Sequence, residues 1–416
     1  MKTNYDAIVI GGGPAGSTFA RIAAAGGMEV LVIDKRKEIG VPVRCGEGLG
    51  ARVIIDQGLE LPKRCIATEI YGAKVVAPNG KEIIWKDKTT TGWVLERKIF
   101  DKWLCELAID KGAEVRTYTR ATELIKKDGK LVGLKVVQWG DKEQEIYAPL
   151  IVSAEGMEAR IAKAAGFDTT HRLYDVDTCY QYEMKPYDHE NLIELYFGNK
   201  IAPRGYVWIF PKADRRANVG IGIGGNLTNW DKNGIPGADP KVLLDEFIAN
   251  HQTLKDASTL VDFGGVISVG APLNEFVKDN FIVIGTAAKQ VDPIHGGGIA
   301  LAMETAVMAA DVVLKAHKKK DFSKAALLEY ETKWKQTLGK KMEKRLMLRK
   351  VMEKLNDDDL NYIFGAITEK DLNEAMEGKF AGPVAKVLAG RPELLSLSST
   401  FNIFLPLSLK NFESTK

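Results

Sequence analysis

Two clusters of glycine carry the plainest chemistry in this chain. The first, Gly11-Gly-Gly-Pro-Ala-Gly16, follows the apolar run Ala7-Ile-Val-Ile10 and leads into a small-residue stretch that reaches Ala25. A helix that starts on such a turn offers unpaired N–H groups to an anion. Gly11 permits the tight turn, Gly13 lets a pyrophosphate approach the backbone, and Gly16 lets helix and strand pack closely. The next run, Val30-Leu-Val-Ile33, ends in Asp34, where a carboxylate can accept ribose hydroxyls. The second cluster, Asp292-Pro-Ile-His-Gly-Gly-Gly298, precedes a small-residue helix from Ile299 to Leu314 and is a separate anion site.

One pyrophosphate cannot occupy both clusters, so the pattern asks for a ligand with two electron-rich ends. FAD fits. Its pyrophosphate would lie on Gly11 to Gly16, and its isoalloxazine, negative near N1 when reduced, would face the N–H groups of Gly296, Gly297 and Gly298. Each such helix-end interaction is worth about 0.3–1 kcal/mol when exposed. Three further groups invite chemistry. The loop Gly40-Val-Pro-Val-Arg-Cys-Gly-Glu-Gly-Leu49 sets Arg44, Cys45 and Glu47 side by side, and its residues allow either a reactive Cys45 or an inert one with Glu47 paired to Arg44. Tyr206-Val-Trp-Ile-Phe-Pro211 places Tyr206, Trp208 and Phe210 on one strand face, as a binding surface or as an aromatic core row. His295 stands beside the second glycines with a reference pKa of about 6.5, either as a proton donor or as a local hydrogen-bond partner.

The elements that must position these groups follow from periodicity. Trp93 to Leu104 has helical spacing with Arg97 at its start, and Lys127-Asp-Gly-Lys130 marks a hairpin ahead of the strand from Leu131. Leu150-Ile-Val-Ser-Ala154 is a further buried strand, followed by Glu155-Gly156. From about 175 to 270 the period is two, which predicts a mostly antiparallel sheet. The expected architecture is α/β. A Rossmann-like FAD-binding domain is formed by residues 1–70, 95–170 and 275–318, an antiparallel-sheet lipid-binding domain by 71–94 and 171–274, and a mainly helical C-terminal region by 319–416.

With 416 residues, a net charge of +3 and four scattered cysteines, the composition argues for a globular cytoplasmic protein without disulfides, metal site or nucleic-acid partner. Neither a signal peptide nor a membrane-spanning run is read.

The glycine motif with Asp34, the Arg97 helix, the strand before Glu155-Gly156 and the Gly285 segment, in this order, resemble the p-hydroxybenzoate-hydroxylase-type FAD fold of flavin monooxygenases, halogenases and geranylgeranyl reductases. Pro42-Val-Arg-Cys-Gly-Glu-Gly-Leu49, and Tyr206-x-Trp208-x-Phe210-Pro211 with Gly220-x-Gly222, resemble the archaeal geranylgeranyl reductase family in particular. That family saturates the double bonds of geranylgeranyl chains on glycerophospholipids and their precursors. The resemblance implies that Ala15, Asp34, Cys45, Gly46, Gly48, Arg97, Ala121, Gly298 and Ile299 line FAD. It also implies that Tyr206, Trp208 and Phe210, with Gly220 and Gly222, edge a lipid cavity. Two positions depart from the fold's pattern: Thr286 stands where an Asp is usual, and Glu155-Gly156 where an Asp-Gly is usual. Thr286 keeps a hydroxyl for a ribityl oxygen but lacks the charge, which predicts weaker retention of FAD.

The implied reaction sends a hydride from flavin N5 and a proton to an isolated alkene, where positive character develops at the more substituted carbon. An aromatic face stabilises such a cation by about 0.5–2 kcal/mol. Candidate proton donors are Cys45, His295 and an ordered water. A lipid chain already dissolved in a bilayer gains nothing from an apolar tunnel, so shape and headgroup contacts must select it. Lys318-Lys-Lys320, the basic helix carrying Lys333, Lys335, Lys340, Lys341, Lys344 and Arg345, and the apolar stretch from Leu394 to Leu407 read either as a docking surface at the inner face of a membrane or as a solvated charged helix with an apolar tail packed on the sheet domain. Electrons are expected from NAD(P)H or a small acidic ferredoxin-like carrier. The rival readings are a flavin monooxygenase or halogenase of the same fold, and a prenyl-lipid carrier without chemistry.

Overall fold

The computed structural model describes residues 2–140, 142–228, 237–376, 379–392 and 394. Its first sheet has six strands in the order Val277–Lys278, Phe281–Val283, Leu150–Ser153, Ala7–Ile10, Val30–Ile33, Glu114–Arg116. All neighbours run parallel except the outermost pair, Val277–Lys278 with Phe281–Val283. A parallel strand covered on both faces needs apolar side chains on both, which is why the three central runs do not alternate. Every residue of those three strands is buried.

On one face of this sheet the helix Pro14–Ala25 packs against the helix Ile299–Lys319. Both present small residues, Ala20, Ala23 and Ala24 on the first and Ala302, Ala306 and Ala309 on the second, so the two backbones come close. Pro14 at the first helical position fixes the starting φ and gives up an N–H that no helical carbonyl would accept. A three-stranded antiparallel sheet of Gln144–Tyr147, Lys130–Gln138 and Thr119–Lys127 lies alongside. Its hairpin turns at Asp128 and Gly129, both at positive φ (50° and 77°), as the Asp-Gly pair predicts.

A seven-stranded sheet makes the second layer, in the order Ser258–Ser268, Val176–Lys185, Arg216–Gly224, Tyr206–Lys212, Leu192–Tyr196, Gly72–Val76, Glu82–Lys86. It is antiparallel throughout except where Leu192–Tyr196 runs parallel to Gly72–Val76, the point at which the early segment joins. The strand Gly92–Leu95, grouped by sequence with that segment, pairs instead with Gly48–Gly50 and Ile66–Ile70 in a small separate sheet. The loop carrying Cys45 is thereby tied to the strand that leads into the Arg97 helix.

The C-terminal region is helical: Lys324–Trp334, Lys340–Met352, Asp357–Ala366, Glu369–Met376 and Ala381–Gly390. The first of these belongs to the core of the six-stranded sheet, with Tyr330 and Trp334 buried and the Trp334 ring edge-on to Phe276 at 5.0 Å. The later helices close over the end of the seven-stranded sheet, where Phe364 and Leu372 pack on Val75 and Ile83. Beyond Leu394, the apolar stretch expected to reach Leu407 lies outside the described residues. Among the described residues no helix is long and apolar enough to cross a membrane, and no cluster of His, Cys, Asp or Glu is arranged to hold a metal ion.

Candidate functional site

The glycine turn at Gly11 is fixed by sterics. Gly11 sits at φ +110°, and a Cβ there would stand 2.3 Å from the Ala154 carbonyl oxygen. A Cβ on Gly16 would stand 1.9 Å from the Gly11 carbonyl oxygen. At Gly13 a Cβ would meet no atom within 4 Å, so this position faces an open cradle. The N–H groups of Gly11 and Gly12 donate to Ile33 O and Asp34 Oδ2 (2.8 and 2.9 Å), while that of Gly13 has no partner among the described residues. Asp34 also accepts from Arg36 N through Oδ1 at 2.8 Å, which orients its carboxylate at the end of the strand. Arg97 begins its helix as expected and forms a two-bond pair with Asp101 at 2.9 and 3.0 Å. Ala121 lies at a bulge, opposite Val136. Glu155 accepts from Ile161 N, Ala162 N and the Ser153 hydroxyl, and so caps the short helix that follows.

Gly11, Gly13, Ala15, Asp34, Arg97, Ala121 and Thr286 line one cavity of about 2230 Å³. That is more than twice the roughly 1,000 Å³ at the upper end of ordinary ligand pockets, which leaves space for a dinucleotide and a second long molecule. Gly16 lies behind the cradle, where it supports the turn.

On one side of this cavity the loop of Cys45, Gly46, Glu47 and Gly48 rests on the aromatic strand. Glycine at positions 46 and 48 lets the loop sit close on the Phe210 ring, which a Cβ at either would press at 3.1 Å. Cys45 O accepts from Gln181 Nε2 and Asn218 Nδ2 (2.9 and 3.1 Å), and Glu47 N donates to Cys45 Sγ at 3.1 Å. Glu47 does not pair with Arg44. It turns inward at φ +72° and meets Lys212, a lysine 165 residues away and only 2% exposed, at 3.0 Å. Burial raises the Glu47 carboxyl above its ordinary range, against the pull of Lys212.

Tyr206, Trp208 and Phe210 all line the cavity. Trp208 is the most buried of the three and donates from Nε1 to Asn218 Oδ1 at 3.0 Å. Its indole lies across the neighbouring strand: a Cβ on Gly220, its direct partner, would stand 2.2 Å from the ring, and one on Gly222 would stand 3.9 Å from it. The glycine pair makes the groove that lets a tryptophan lie flat there.

The second glycine cluster is more self-contained than its sequence suggests. Gly296 N donates to Asp292 O (2.9 Å) and Gly297 N to His295 Nδ1 (3.1 Å), so two of the three N–H groups expected to face an isoalloxazine are engaged within the loop. Gly298 and the first residues of the helix, from Ile299 on, keep theirs free of helical carbonyls. With Nδ1 accepting, the neutral His295 carries its proton on Nε2, 3.2 Å from Asp292 Oδ2. The ring faces into the cavity, open to water there yet surrounded by protein. Burial first, then the charge of Lys341, pushes its pKa down to about 4. Both effects favour the neutral imidazole at pH 7.

The helix Lys340–Met352, expected as a basic outer face, turns two of its arginines inward. Arg345 pairs with Asp292, and Arg349 donates to Pro293 O at 3.0 Å. They hold the glycine loop from behind, and Lys341 also lines the cavity. Tyr206 closes the other side by donating its hydroxyl to His295 O at 2.7 Å. Further along, the cavity becomes apolar, walled by Phe197 and Leu195 of the sheet and by Leu360, Phe364, Val384 and Val387 of the C-terminal helices. Sequence reasoning expected a helical C-terminal region but not its place on the cavity wall, and it found neither the Gln181 and Asn218 anchors nor Lys212. The one usable signal was Asn218, a lone polar residue among the buried apolar and glycine positions that follow Arg216 in its strand.

Fold and cradle together define an FAD-dependent oxidoreductase. The model of the family described as FAD dependent oxidoreductase matches residues 6–196, and that described as geranylgeranyl reductase catalytic domain matches residues 175–267. The chain is similar to the digeranylgeranylglycerophospholipid reductase of Methanospirillum hungatei, at 38% identity over 95% of this chain and 96% of that one. The protein of the same name from Methanosarcina mazei is 39% identical over 87% of this chain and 88% of its own. Among solved structures, a geranylgeranyl bacteriochlorophyll reductase-like protein from Thermoplasma acidophilum superimposes with a TM-score of 0.86 at 32% identity, covering 95% of this chain and all (100%) of that one. A flavin-dependent brominase, 18% identical with a TM-score of 0.71 over 97% of this chain and 99% of its own, shares the fold alone. The chain belongs to the digeranylgeranylglycerophospholipid reductase family, and its cofactor is FAD.

Proposed function

We propose that the protein saturates the isolated C=C bonds of geranylgeranyl chains on archaeal glycerophospholipids or their precursors. The observation that carries this is one continuous cavity, which runs from the Gly13 cradle past the aromatic strand into an apolar chamber under the C-terminal helices. Bound and reduced, FAD supplies the hydride. Gly11, Gly13, Ala15 and Gly16 build the cradle for its pyrophosphate, and Asp34, Arg97, Ala121, Thr286, Gly297, Gly298 and Ile299 are the residues that would hold its remaining parts.

The chain's own residues supply the rest. Tyr206, Trp208 and Phe210 offer aromatic faces to the positive character that develops on the alkene, worth about 0.5–2 kcal/mol. Gly220 and Gly222 let Trp208 lie in place. Cys45 is the proton donor in this reading: it is partly exposed, on a loop pressed between cradle and aromatic strand, whereas His295 is held neutral. The apolar walls select by shape, because a chain leaving a bilayer gains no net burial energy. The protein works in the cytoplasm at the inner face of the membrane, where exposed Lys318, Lys319 and Lys320 favour an anionic surface. Its electrons come from NAD(P)H or from a small acidic ferredoxin-like carrier.

The test is anaerobic. Dithionite-reduced holoprotein incubated with digeranylgeranylglyceryl phospholipid should give products heavier by successive pairs of hydrogens in mass spectrometry. Unchanged lipid, from protein with stoichiometric and fully bleached FAD, would overturn the reading. Cosedimentation with anionic liposomes at low salt tests the membrane surface, and its absence there would remove it.

A further inference from the structure

A buried charge cluster lies behind the Cys45 loop, and of its members Glu47 alone also lines the cavity. Lys212 Nζ has three protons to donate, and three carboxylates from three separate segments receive them: Glu47 at 3.0 Å, Glu96 at 3.2 Å and Glu183 at 3.1 Å. Arg216 joins Glu96 and Glu183, each at 2.9 Å, so two cations face three acids. Lys212 and Glu183 belong to the seven-stranded sheet, Glu96 directly precedes the Arg97 helix, and Glu47 is in the loop. The lysine is thus the point at which sheet, flavin-side helix and loop are joined.

The loop needs such a hold. Glu47 is not glycine, yet it sits in the left-handed region at φ +72°, a conformation that persists only when its surroundings over-determine it. Its Oε1 accepts from Arg97 N at 3.2 Å, its Oε2 from Lys212 and from Asn218 Nδ2, and its own N–H is given to Cys45 Sγ. If the Glu47 backbone relaxes, that N–H leaves the sulfur, and Gly46 and Gly48 lose their seat on Phe210.

We propose that Lys212, which does not line the cavity, is a positioning residue for the reaction: by holding Glu47 in its turn it sets where Cys45 stands. The turnover part of this rests on the reductase reading above. The placement of Cys45 does not, and it is measurable without any reaction.

Cys45 is partly exposed whereas Cys65, Cys105 and Cys179 are buried, so alkylation mapped by peptide mass spectrometry resolves the loop from the rest of the fold. In holoprotein carrying Lys212→Met, Cys45 should alkylate faster by on the order of tenfold as local opening becomes easier. The three buried cysteines should keep their wild-type rates, and kcat should fall with KM little changed. An unchanged Cys45 rate, or equal acceleration of all four cysteines, overturns the proposal, the second because it reports general loosening. Should Lys212→Met fail to fold, Glu47→Ala carries the same test, since it leaves the lysine two carboxylates and removes the arm that reaches the loop. If alkylation responds while no lipid is ever reduced, the positioning stands and the reductase reading falls.

Discussion

At both glycine-rich helix starts the first two glycine N–H groups are taken up by protein, and the two sites differ in what takes them. At the first, the acceptors are Ile33 O and Asp34 Oδ2, on a neighbouring strand of the central sheet. At the second they are Asp292 O and His295 Nδ1, within the same short loop, and that loop is held from outside by Arg345, Arg349 and Tyr206. The first cradle is part of the sheet and has no titratable group in its ladder except a fixed carboxylate. The second depends on the protonation state of one imidazole. A glycine motif therefore shows where an anion can approach, while the acceptors around it show whether the site is rigid or conditional.

The largest expected effects lie at the rigid site, where neighbouring glycines should separate folding from cofactor binding. Gly16→Ala puts a methyl 1.9 Å from a backbone oxygen that cannot move without moving the sheet, and should destabilise the fold by about 3 kcal/mol or more. Gly13→Ala meets no protein atom within 4 Å and its φ of −82° suits any residue, so the melting temperature should hold. Its methyl projects into the cradle, and flavin titration should show affinity reduced at least about tenfold, or ~1.4 kcal/mol. Equal loss of stability in both variants would mean that the cradle is not open at Gly13.

At the conditional site the effects should be smaller and should depend on pH. Gly297→Ala places a Cβ 2.4 Å from the His295 ring, which must swing away and lose the Gly297 N–H bond, at about 1–3 kcal/mol. NMR titration should then find the His295 pKa moved up from about 4 toward its ordinary 6.5. In the parent protein the unfolded chain binds the His295 proton more readily than the folded one. Its contribution to stability is therefore fully present above pH 6.5 and is lost as pH falls toward 4. Urea unfolding of His295→Gln at several pH values should show a shallower decline across that window than the parent, and an identical slope would mean that the ring is not shielded.

The same contrast explains what could be read from sequence. The strand, glycine turn, helix and Asp34 of the first site are a local pattern set by a few consecutive dihedrals and one short crossover, so residue types and spacing sufficed. The Asp128-Gly129 hairpin and the row Tyr206, Trp208, Phe210 were legible for the same reason. The second site showed its glycines but not their acceptors, because a pKa near 4 arises from packing by a helix some fifty residues on. Lys212 was hidden altogether: its partners precede it by 165, 116 and 29 residues, and no periodicity encodes such a meeting. Arg345 carried the opposite lesson, since a lysine-rich helix reads as a solvated face until the fold turns one of its cations inward to Asp292.

The smallest expected effect sharpens the comparison at the point where the second site departs from its fold's usual pattern. Thr286 lies next to the free N–H groups of the Gly298 helix start, its hydroxyl 3.6 Å from where a Gly298 Cβ would stand. An aspartate there would offer a ribityl hydroxyl a charged acceptor in place of a neutral one, a gain of up to about 1 kcal/mol. Thr286→Asp should thus lower the FAD dissociation constant by at most about fivefold, the factor which that free energy gives. Fluorescence titration of apoprotein with FAD resolves a change of this size. A drop confined to Thr286→Asp and absent in Thr286→Asn would assign it to charge. No drop in either would mean that the loop's own hydrogen bonds, from Gly296 and Gly297, already supply the order that the missing carboxylate provides elsewhere in the fold.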